Sequence, residues 1–489
     1  MHRPPFAWRR VALVTAALVV VLCATSNGYG YHRDELYFRL LDKHLAWGYI
    51  DQPPLTPVLA RISTLILGDH LWALRVPSII CAATSAIVCA LMSREVGGAA
   101  RAQTLAALGA ASAYPLIGGH LFVTATVDML LWLVVILFLL RAMLRDEPRW
   151  WPAAGVAVGV GSYNKLLIYL LLLCFGLGLL LFGPRRTLLS RWVWLGLAVA
   201  VVVGAPNFGY QLTHSWPQFS MAHALAQHKG HDARTQFIPL QILLIGPLVV
   251  PIWVAGLVSL WRRASTRAMA AAYPIMCVLL LALAGQPYYT AGLLLALYAA
   301  GCTPTMQWLT GRRGRAILVG SAVTANTAVA AVIALPLLSV ATLAHTPIPG
   351  INQTVRDQIG WPVYVQQIAT VYRALPAADR QHTIVLTGNY GEAGAIARYG
   401  KADGLPSQPY SGQNQLWYLG RPPDSATVAV VVGIDDDQWI AAQFASCQTQ
   451  GQLDNLVSIS NEEQGRVIRV CRNPVEPWQI LWPRFRHLD

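Results

Sequence analysis

Charge is what this chain has least of. Asp, Glu, Lys and Arg together make up 12 % of its 489 residues, against about 25 % in a soluble protein. Only four residues are lysine. So little charge cannot clothe the three soluble domains that this length would otherwise give at roughly 150 residues each. It also excludes disorder, which requires high charge and few apolar groups. Internal repeats are missing, which removes solenoids and fibres. No lipid-attachment motif is present, and no nucleic-acid-binding motif accompanies the net charge of +13. Eight cysteines over this length do not make a secreted disulfide scaffold.

What fills the chain instead is hydrocarbon. Hydrophobic residues reach 55 % and mean hydropathy is +0.46. These values predict an α-helical polytopic membrane protein. Apolar runs lie near 11–25, 71–92, 99–118, 121–140, 152–164, 165–182, 192–206, 238–260, 269–284, 290–307 and 316–343. Several fall short of the ~20 residues of a straight span, and 152–182 reads as two spans or as one long tilted helix. The basic groups arbitrate. Arg3/Arg9/Arg10, Arg94/Arg101, Arg141/Arg145/Arg149, Arg185/Arg186/Arg191, Arg262/Arg263/Arg267 and Arg312/Arg313/Arg315 all fall on one side with eleven spans. The positive-inside rule makes that side the cytoplasm. The expected organisation is a membrane domain over 1–344 with a first outer loop at 26–70, and a C-terminal extracytoplasmic domain over 345–489. The first run resembles a signal peptide with a cleavage site at Ala24-Thr25-Ser26. An uncleaved anchor is preferred, because cleavage would detach the most polar loop.

The tail changes character. Strand-like runs Thr383–Thr387 and Val428–Gly433 alternate with Gly/Pro-rich loops, which predicts a small α/β domain. Cys447 and Cys471 fall there and could pair in an oxidising compartment. Spacing alone leaves that open. Arginine in large excess over lysine, with abundant alanine, points to a GC-rich bacterial gene and hence to a bacterial plasma (inner) membrane.

The ionisable residues collect at the outer level. Asp34-Glu35 opens an amphipathic pattern through Tyr37, Leu41, Leu45 and Trp47 that predicts a surface helix. Asp34 then either caps that helix or serves as a carboxylate that takes a proton from a substrate hydroxyl. Asp51-Gln52 precedes Pro53-Pro54, which forces an extended turn. Asp128 lies inside an apolar run, where an ionisable group is functional by default, or else is solvated near a helix end. Arg75 and Lys165 either snorkel to outer headgroups or bind an anion such as phosphate. His214, His223, His228 and His231 lack a compact ligand pattern, and the stretch 207–237 is expected to be a mobile loop. Gln286-Pro-Tyr288-Tyr289 is either an aromatic belt or a platform for a sugar ring.

In order and spacing these segments resemble the GT-C superfamily of integral-membrane glycosyltransferases. The bacterial branch related to protein O-mannosyltransferases and the lipid A aminoarabinose transferase is the most similar. The likeness rests on Asp34-Glu35, Tyr-Ile-Asp-Gln-Pro-Pro-Leu, Arg75-Val-Pro-Ser, the Asp128 segment, Asn164-Lys165, His214-Ser-Trp-Pro, Gln286-Pro-Tyr-Tyr, Gly391-Glu-Ala-Gly and the stretch from Cys471 to Trp482. The resemblance implies a polyprenyl-phosphate-linked sugar donor, a hydroxyl acceptor (protein, lipid or cell-wall glycan) and inverting transfer at the outer face. It implies that Asp34 is the catalytic base; on that mechanism Glu35 or Asp128 would orient the acceptor or support Asp34. Asp51 falls near the donor or a metal. Arg75, Lys165, His214, Tyr288 and Tyr289 are the remaining candidates for substrate contact. Relatives often carry Lys at Gln52 and Gln286, so the usual phosphate contacts shift toward Arg75 and Lys165. No cofactor is fixed. A divalent metal near the first outer loop stays open, without a ligand set. A lipid-linked-sugar flippase or transporter is the alternative function.

Overall fold

The computed structural model describes residues 3–145 and 147–489. It is mostly helical, and each of the eleven apolar runs holds a helix or a broken one. Among the described residues, five helices are long and apolar enough to cross a membrane: Trp8–Thr25, Leu71–Glu95, Thr124–Arg145, Arg191–Thr213 and Arg313–Ala334. The pair Phe237–Leu243 and Pro247–Trp261 makes a sixth if a 76° bend is counted within one span. The protein is a multi-pass membrane protein. The ambiguous run 152–182 divides into two helices, Trp150–Ser162 and Leu167–Leu181. The turn between them carries Asn164 and Lys165.

The chain forms two compact units. The first contains the chain through Ser26, Gln52–Thr56 and Arg75–Leu335. Its core includes a large apolar cluster with Trp132, Leu133, Ile136, Met276 and Leu294 and a smaller one with Leu18, Leu22, Ile79 and Ala330. Lipid tails are as apolar as leucine, so helix association there depends on close backbone approach rather than on the hydrophobic effect. Gly256 and Gly301 supply one such approach. A Cβ on Gly256 would lie 1.9 Å from the Leu297 carbonyl oxygen, and one on Gly301 would lie 1.8 Å from that of Ile252. The arginines that set the predicted topology have a second use. Glu95 is buried, and Arg141 Nε and Arg145 Nε donate to its carboxylate at 3.1 Å and 2.9 Å. Removing one partner of such a buried pair typically costs about 3–5 kcal/mol, because the other charge is left uncompensated.

The second unit contains Asn27–Asp51, Pro57–Leu74 and Pro336–Asp489. Five strands form its sheet: β1 (Thr383–Thr387), β2 (Tyr410–Ser411), β3 (Val428–Val432), β4 (Phe444–Gln452) and β5 (Val467–Pro474). Their order is β2-β1-β3-β5-β4. The first three are parallel, and β5 is antiparallel to both β3 and β4. β1 and β3 are buried at every position, as central parallel strands are. Register brings Cys447 opposite Cys471 on β4 and β5, and they form a disulfide.

Two expectations are corrected here. The helix of the first outer loop covers Arg33–Leu41 alone. Leu45 and Trp47 lie outside it and are exposed. Seven of its nine residues are buried, so it is packed inside its unit instead of lying half-immersed on a lipid surface. The stretch 207–237 is also not a mobile loop. It continues the helix ending at Thr213 and then forms a second helix, Pro217–Thr235, which carries His223, His228 and His231.

Candidate active site

The helix Arg33–Leu41 begins with a capping box, but the cap is His32 and not Asp34. His32 Nδ1 accepts from the Asp34 N–H at 3.2 Å, and Glu35 Oε2 accepts from the His32 N–H at 2.8 Å. Glu35 at the third helical position is the usual partner in this motif, and it is fully buried. The Asp34 side chain therefore has no part in closing the helix end.

Its partner lies in the tail. The Tyr390 hydroxyl donates to Asp34 Oδ1 at 2.9 Å. Tyr390 stacks on Tyr37 with ring centroids 4.7 Å apart. The Tyr37 hydroxyl in turn donates to Asp51 Oδ1 at 3.0 Å. Two aspartates are thus each held by the hydroxyl of one member of a stacked tyrosine pair. Burial pushes the Asp51 carboxyl up to about 7, with the Asp34 charge adding to the rise and the Tyr37 hydroxyl opposing it. Arg33 lies over the Tyr390 ring at 4.9 Å and pairs with Glu462.

Close backbone approach makes this arrangement possible. The helix Tyr390–Tyr399 packs on Arg33–Leu41 through Gly391 and Gly394. A Cβ on Gly394 would lie 2.6 Å from the Leu36 Cβ, and one on Gly391 would lie 3.0 Å from the Arg33 Cβ. The Gly391-Glu-Ala-Gly motif is therefore a packing surface for the helix that bears Asp34. Glu392 from the same motif completes a second capping box with Asn389. Glu392 and Glu463 are both buried, and burial pushes their carboxyls up to about 7 and about 8.

The membrane unit holds a second cluster. A small cavity is lined by Tyr114, Asp128, Trp132, Lys165, Tyr288 and Tyr289, among others. The Lys165 ammonium sits 5.7 Å from the Tyr288 ring centroid and 5.3 Å from that of Tyr289, within the range of cation–π attraction. Asp128 is buried, its Oδ1 has no hydrogen-bond partner among the described residues, and Lys165 is the opposite charge acting on it. Asn164 anchors the Lys165 turn. Its Oδ1 accepts from Thr56 Oγ1 at 2.9 Å, and its Nδ2 donates to the Thr124 carbonyl at 2.9 Å. Gln241 holds the tyrosine turn, accepting from Thr290 Oγ1 at 2.6 Å and donating to the Pro287 carbonyl at 3.2 Å. Tyr114 stacks on Tyr288 at 5.7 Å.

The remaining candidates separate from these clusters. Arg75 is fully buried and donates to the Ser26 carbonyl at 2.9 Å, with His120 Nε2 at 3.1 Å. It does not line the cavity. His214 is exposed, stacks on Tyr210 at 4.0 Å and also lies outside the cavity lining. Gln52 and Gln286 share one property: each has a buried side-chain Nε2 without a hydrogen-bond partner among the described residues. Among those residues, no group of three or more His, Cys, Asp or Glu side chains is arranged to hold a metal ion.

Sequence reasoning missed Tyr390, Arg33, Tyr114 and His120. Tyr114 sits in an apolar run, where it reads as an ordinary span residue, and His120 falls in the short gap between two runs, where it reads as a turn residue. Tyr390 directly precedes the motif Gly391-Glu-Ala-Gly, which was the only available signal.

Comparison with known structures decides the architecture. The fold matches the crystal structure of ArnT from Cupriavidus metallidurans bound to undecaprenyl phosphate, with a TM-score of 0.59 over 94 % of this chain and 97 % of that one, at 16 % identity. The apo form of the same protein gives 0.60 at 15 % identity, with the same coverage. The chain has the GT-C fold. That GT-C architecture also relates it to the mycobacterial arabinofuranosyltransferase AftD, with a TM-score of 0.52 and 15 % identity, covering 95 % of this chain and 40 % of AftD. Residues 51–210 match the family model of dolichyl-phosphate-mannose-protein mannosyltransferases. No curated protein matches it by sequence.

Proposed function

We propose that the protein is a membrane glycosyltransferase that moves a sugar from a polyprenyl-phosphate donor to a hydroxyl acceptor at the extracytoplasmic face. The observation that carries this is Asp34, a carboxylate left out of its own helix cap and oriented by the Tyr390 hydroxyl. The fold shared with an undecaprenyl-phosphate-bound ArnT supports the choice of donor.

Asp34 takes the proton of the acceptor hydroxyl. The acceptor oxygen then attacks the anomeric carbon as the bond from that carbon to the phosphate oxygen breaks. Configuration inverts, and polyprenyl phosphate leaves with the electron pair. Lys165, held over Tyr288 and Tyr289, offsets the charge gathering on that phosphate. Gln52 and Gln286 add neutral N–H donors where relatives place lysine. Asp128 keeps the Lys165 ammonium oriented, and Tyr390, Tyr37 and Glu35 position the two aspartates. Arg75 acts indirectly, by tying the end of the first helix at Ser26.

The topology belongs to the same proposal: a bacterial plasma membrane, the N-terminus in the cytoplasm, a transmembrane domain over 1–344 and an extracytoplasmic domain over 345–489. The Cys447–Cys471 disulfide supports an oxidising compartment for the tail.

The test is a transfer assay in native membranes with polyprenyl-phosphate sugars labelled in the sugar, comparing wild type with Asp34→Asn at matched expression. Label is expected to enter a new product with wild type and to fall by about 10²–10⁴ in the variant. Equal transfer by both overturns the role of Asp34. Label that crosses the bilayer in both proteins, without a new glycosidic bond, overturns the transferase in favour of a lipid-linked-sugar flippase.

A further inference from the structure

The tail sheet contains a second crevice that the transfer chemistry does not use. β1 is followed by a connection to β2 on one side, and β3 by a connection toward β4 and β5 on the other. Where adjacent parallel strands send their connections to opposite sides, their carboxyl ends leave a crevice, and open α/β sheets bind ligands there. A cavity of about 370 Å³ occupies that place, within the span of small-molecule sites, about 300–1,000 Å³. Its floor is the two strand ends, Thr387-Gly388 and Gly433-Ile434. The turns meet without side chains: a Cβ on Gly388 would lie 2.1 Å from the Gly433 carbonyl oxygen, and Gly433 itself has φ +74°.

The lining has a definite chemistry. Asp435 pairs with Arg466, and Arg484 pairs with Glu476, so both are internally neutralised. The His487 ring nitrogens lie 2.9 Å and 3.1 Å from the Phe485 and Gly388 carbonyl oxygens. Asp436 and Arg486 remain, one carboxylate and one guanidinium, both exposed. Asp436 Oδ1 accepts the Trp439 backbone N–H at 2.8 Å, which leaves Oδ2. Arg486 lies 5.3 Å from the ring centroids of both Trp417 and Tyr418. Among the described residues, nothing hydrogen-bonds its guanidinium or the Trp439 indole N–H. Trp439 is part-exposed and braced edge-on by Phe485 at 4.9 Å. An anionic ligand would face Asp436 and a cationic one Arg486. A neutral polyol faces neither penalty, because hydroxyls both donate and accept, and the C–H face of a sugar ring packs on an indole.

We propose that this crevice binds a neutral glycan, one or two sugar units deep, with Trp439 as the platform and Asp436 and Arg486 as its polar clamps. The site is separate from the transfer chemistry and does not rest on the transferase reading.

The experiment is saturation-transfer NMR on the full chain in nanodiscs, free of glycosidic detergent. The probes are the methyl glycosides of mannose, galactose and arabinose, together with maltose. Wild type is compared with Asp436→Asn/Arg486→Gln, which retains an Asn cap and the net charge, and with Trp439→Ala. At least one glycoside is expected to receive saturation from wild type, to bind at least tenfold more weakly to both variants, and to bind Asp34→Asn undiminished. A thermal unfolding profile of the double variant that matches wild type separates loss of the site from loss of the fold. Saturation absent from every glycoside, or unchanged in the double variant, overturns the proposal. Displacement of the glycoside by millimolar inorganic phosphate also overturns it, in favour of an anion site.

Discussion

The two units carry their acids in opposite ways. In the membrane unit, Asp128 sits among apolar walls and answers to a cation, Lys165, which itself rests on two tyrosine faces. In the other unit, Asp34 and Asp51 accept from neutral hydroxyls of Tyr390 and Tyr37, with the Arg33 charge acting on Asp34 from further off. A cation stabilises a charge already present, whereas a phenol orients a carboxylate and leaves it free to exchange a proton. The first arrangement suits holding an anion in place, and the second suits moving a proton. Aromatic rings serve both, once through the face and once through the hydroxyl edge.

Substitutions can break this contrast, and the largest effect is expected where the proton moves. Asp34→Asn keeps an acceptor oxygen for Tyr390 and is expected to lower transfer by about 10²–10⁴, with the protein still folded by its thermal unfolding profile. Lys165→Met removes the cation but not the tyrosines. A loss of about 10²–10³ in kcat is expected, as for deletion of one charge-stabilising donor, and a change confined to KM would instead make Lys165 a ground-state anchor. Tyr390→Phe removes one hydrogen bond to a charged group, worth about 1.5–3 kcal/mol. About a tenfold to hundredfold fall in kcat is expected, with an unchanged thermal unfolding profile. A fall that tracks a lowered melting temperature would mark Tyr390 as packing alone.

The smallest effect is a titration. Burial raises the Asp51 carboxyl to about 7, so the folded state holds that proton more tightly than the unfolded chain does. The stabilising contribution is fully present below the unfolded value of about 3.9 and is lost as pH rises through about 7. Asp51→Asn should therefore melt higher than wild type at pH 8, with the difference closing toward pH 5. Parallel melting curves at every pH would show that Asp51 titrates as an ordinary surface acid.

Much of this architecture was legible in the sequence, because hydropathy and local pattern carry it. The strand-like runs Thr383–Thr387 and Val428–Gly433 follow from apolar residues and turns, whereas the run 152–182 is ambiguous by hydropathy and divides in two only through the side on which the basic groups fall. The first outer helix was overextended past Leu41. Leu45 and Trp47 continue its apolar spacing, but they lie outside the buried segment. Asp34 looked like a cap because Asp commonly is one, and His32 takes that place at less favourable odds. The partners of the site were beyond reach. Tyr390 is 356 residues from Asp34, and no periodicity links such positions. The cysteine pairing needed the register of β4 on β5, which only the folded sheet supplies.

The dependence of Asp34 on Tyr390 has a consequence for biosynthesis. The helix Arg33–Leu41 leaves the ribosome with seven residues meant for burial, and its packing partner Tyr390–Tyr399 is encoded roughly 350 codons later. At 5–20 residues per second, roughly 20–70 s pass before that partner is synthesised. Throughout that interval the nascent loop must be shielded from aggregation by something other than its own fold. A ribosome that stops between codons 344 and 389 releases a chain that has every apolar run and no oriented base.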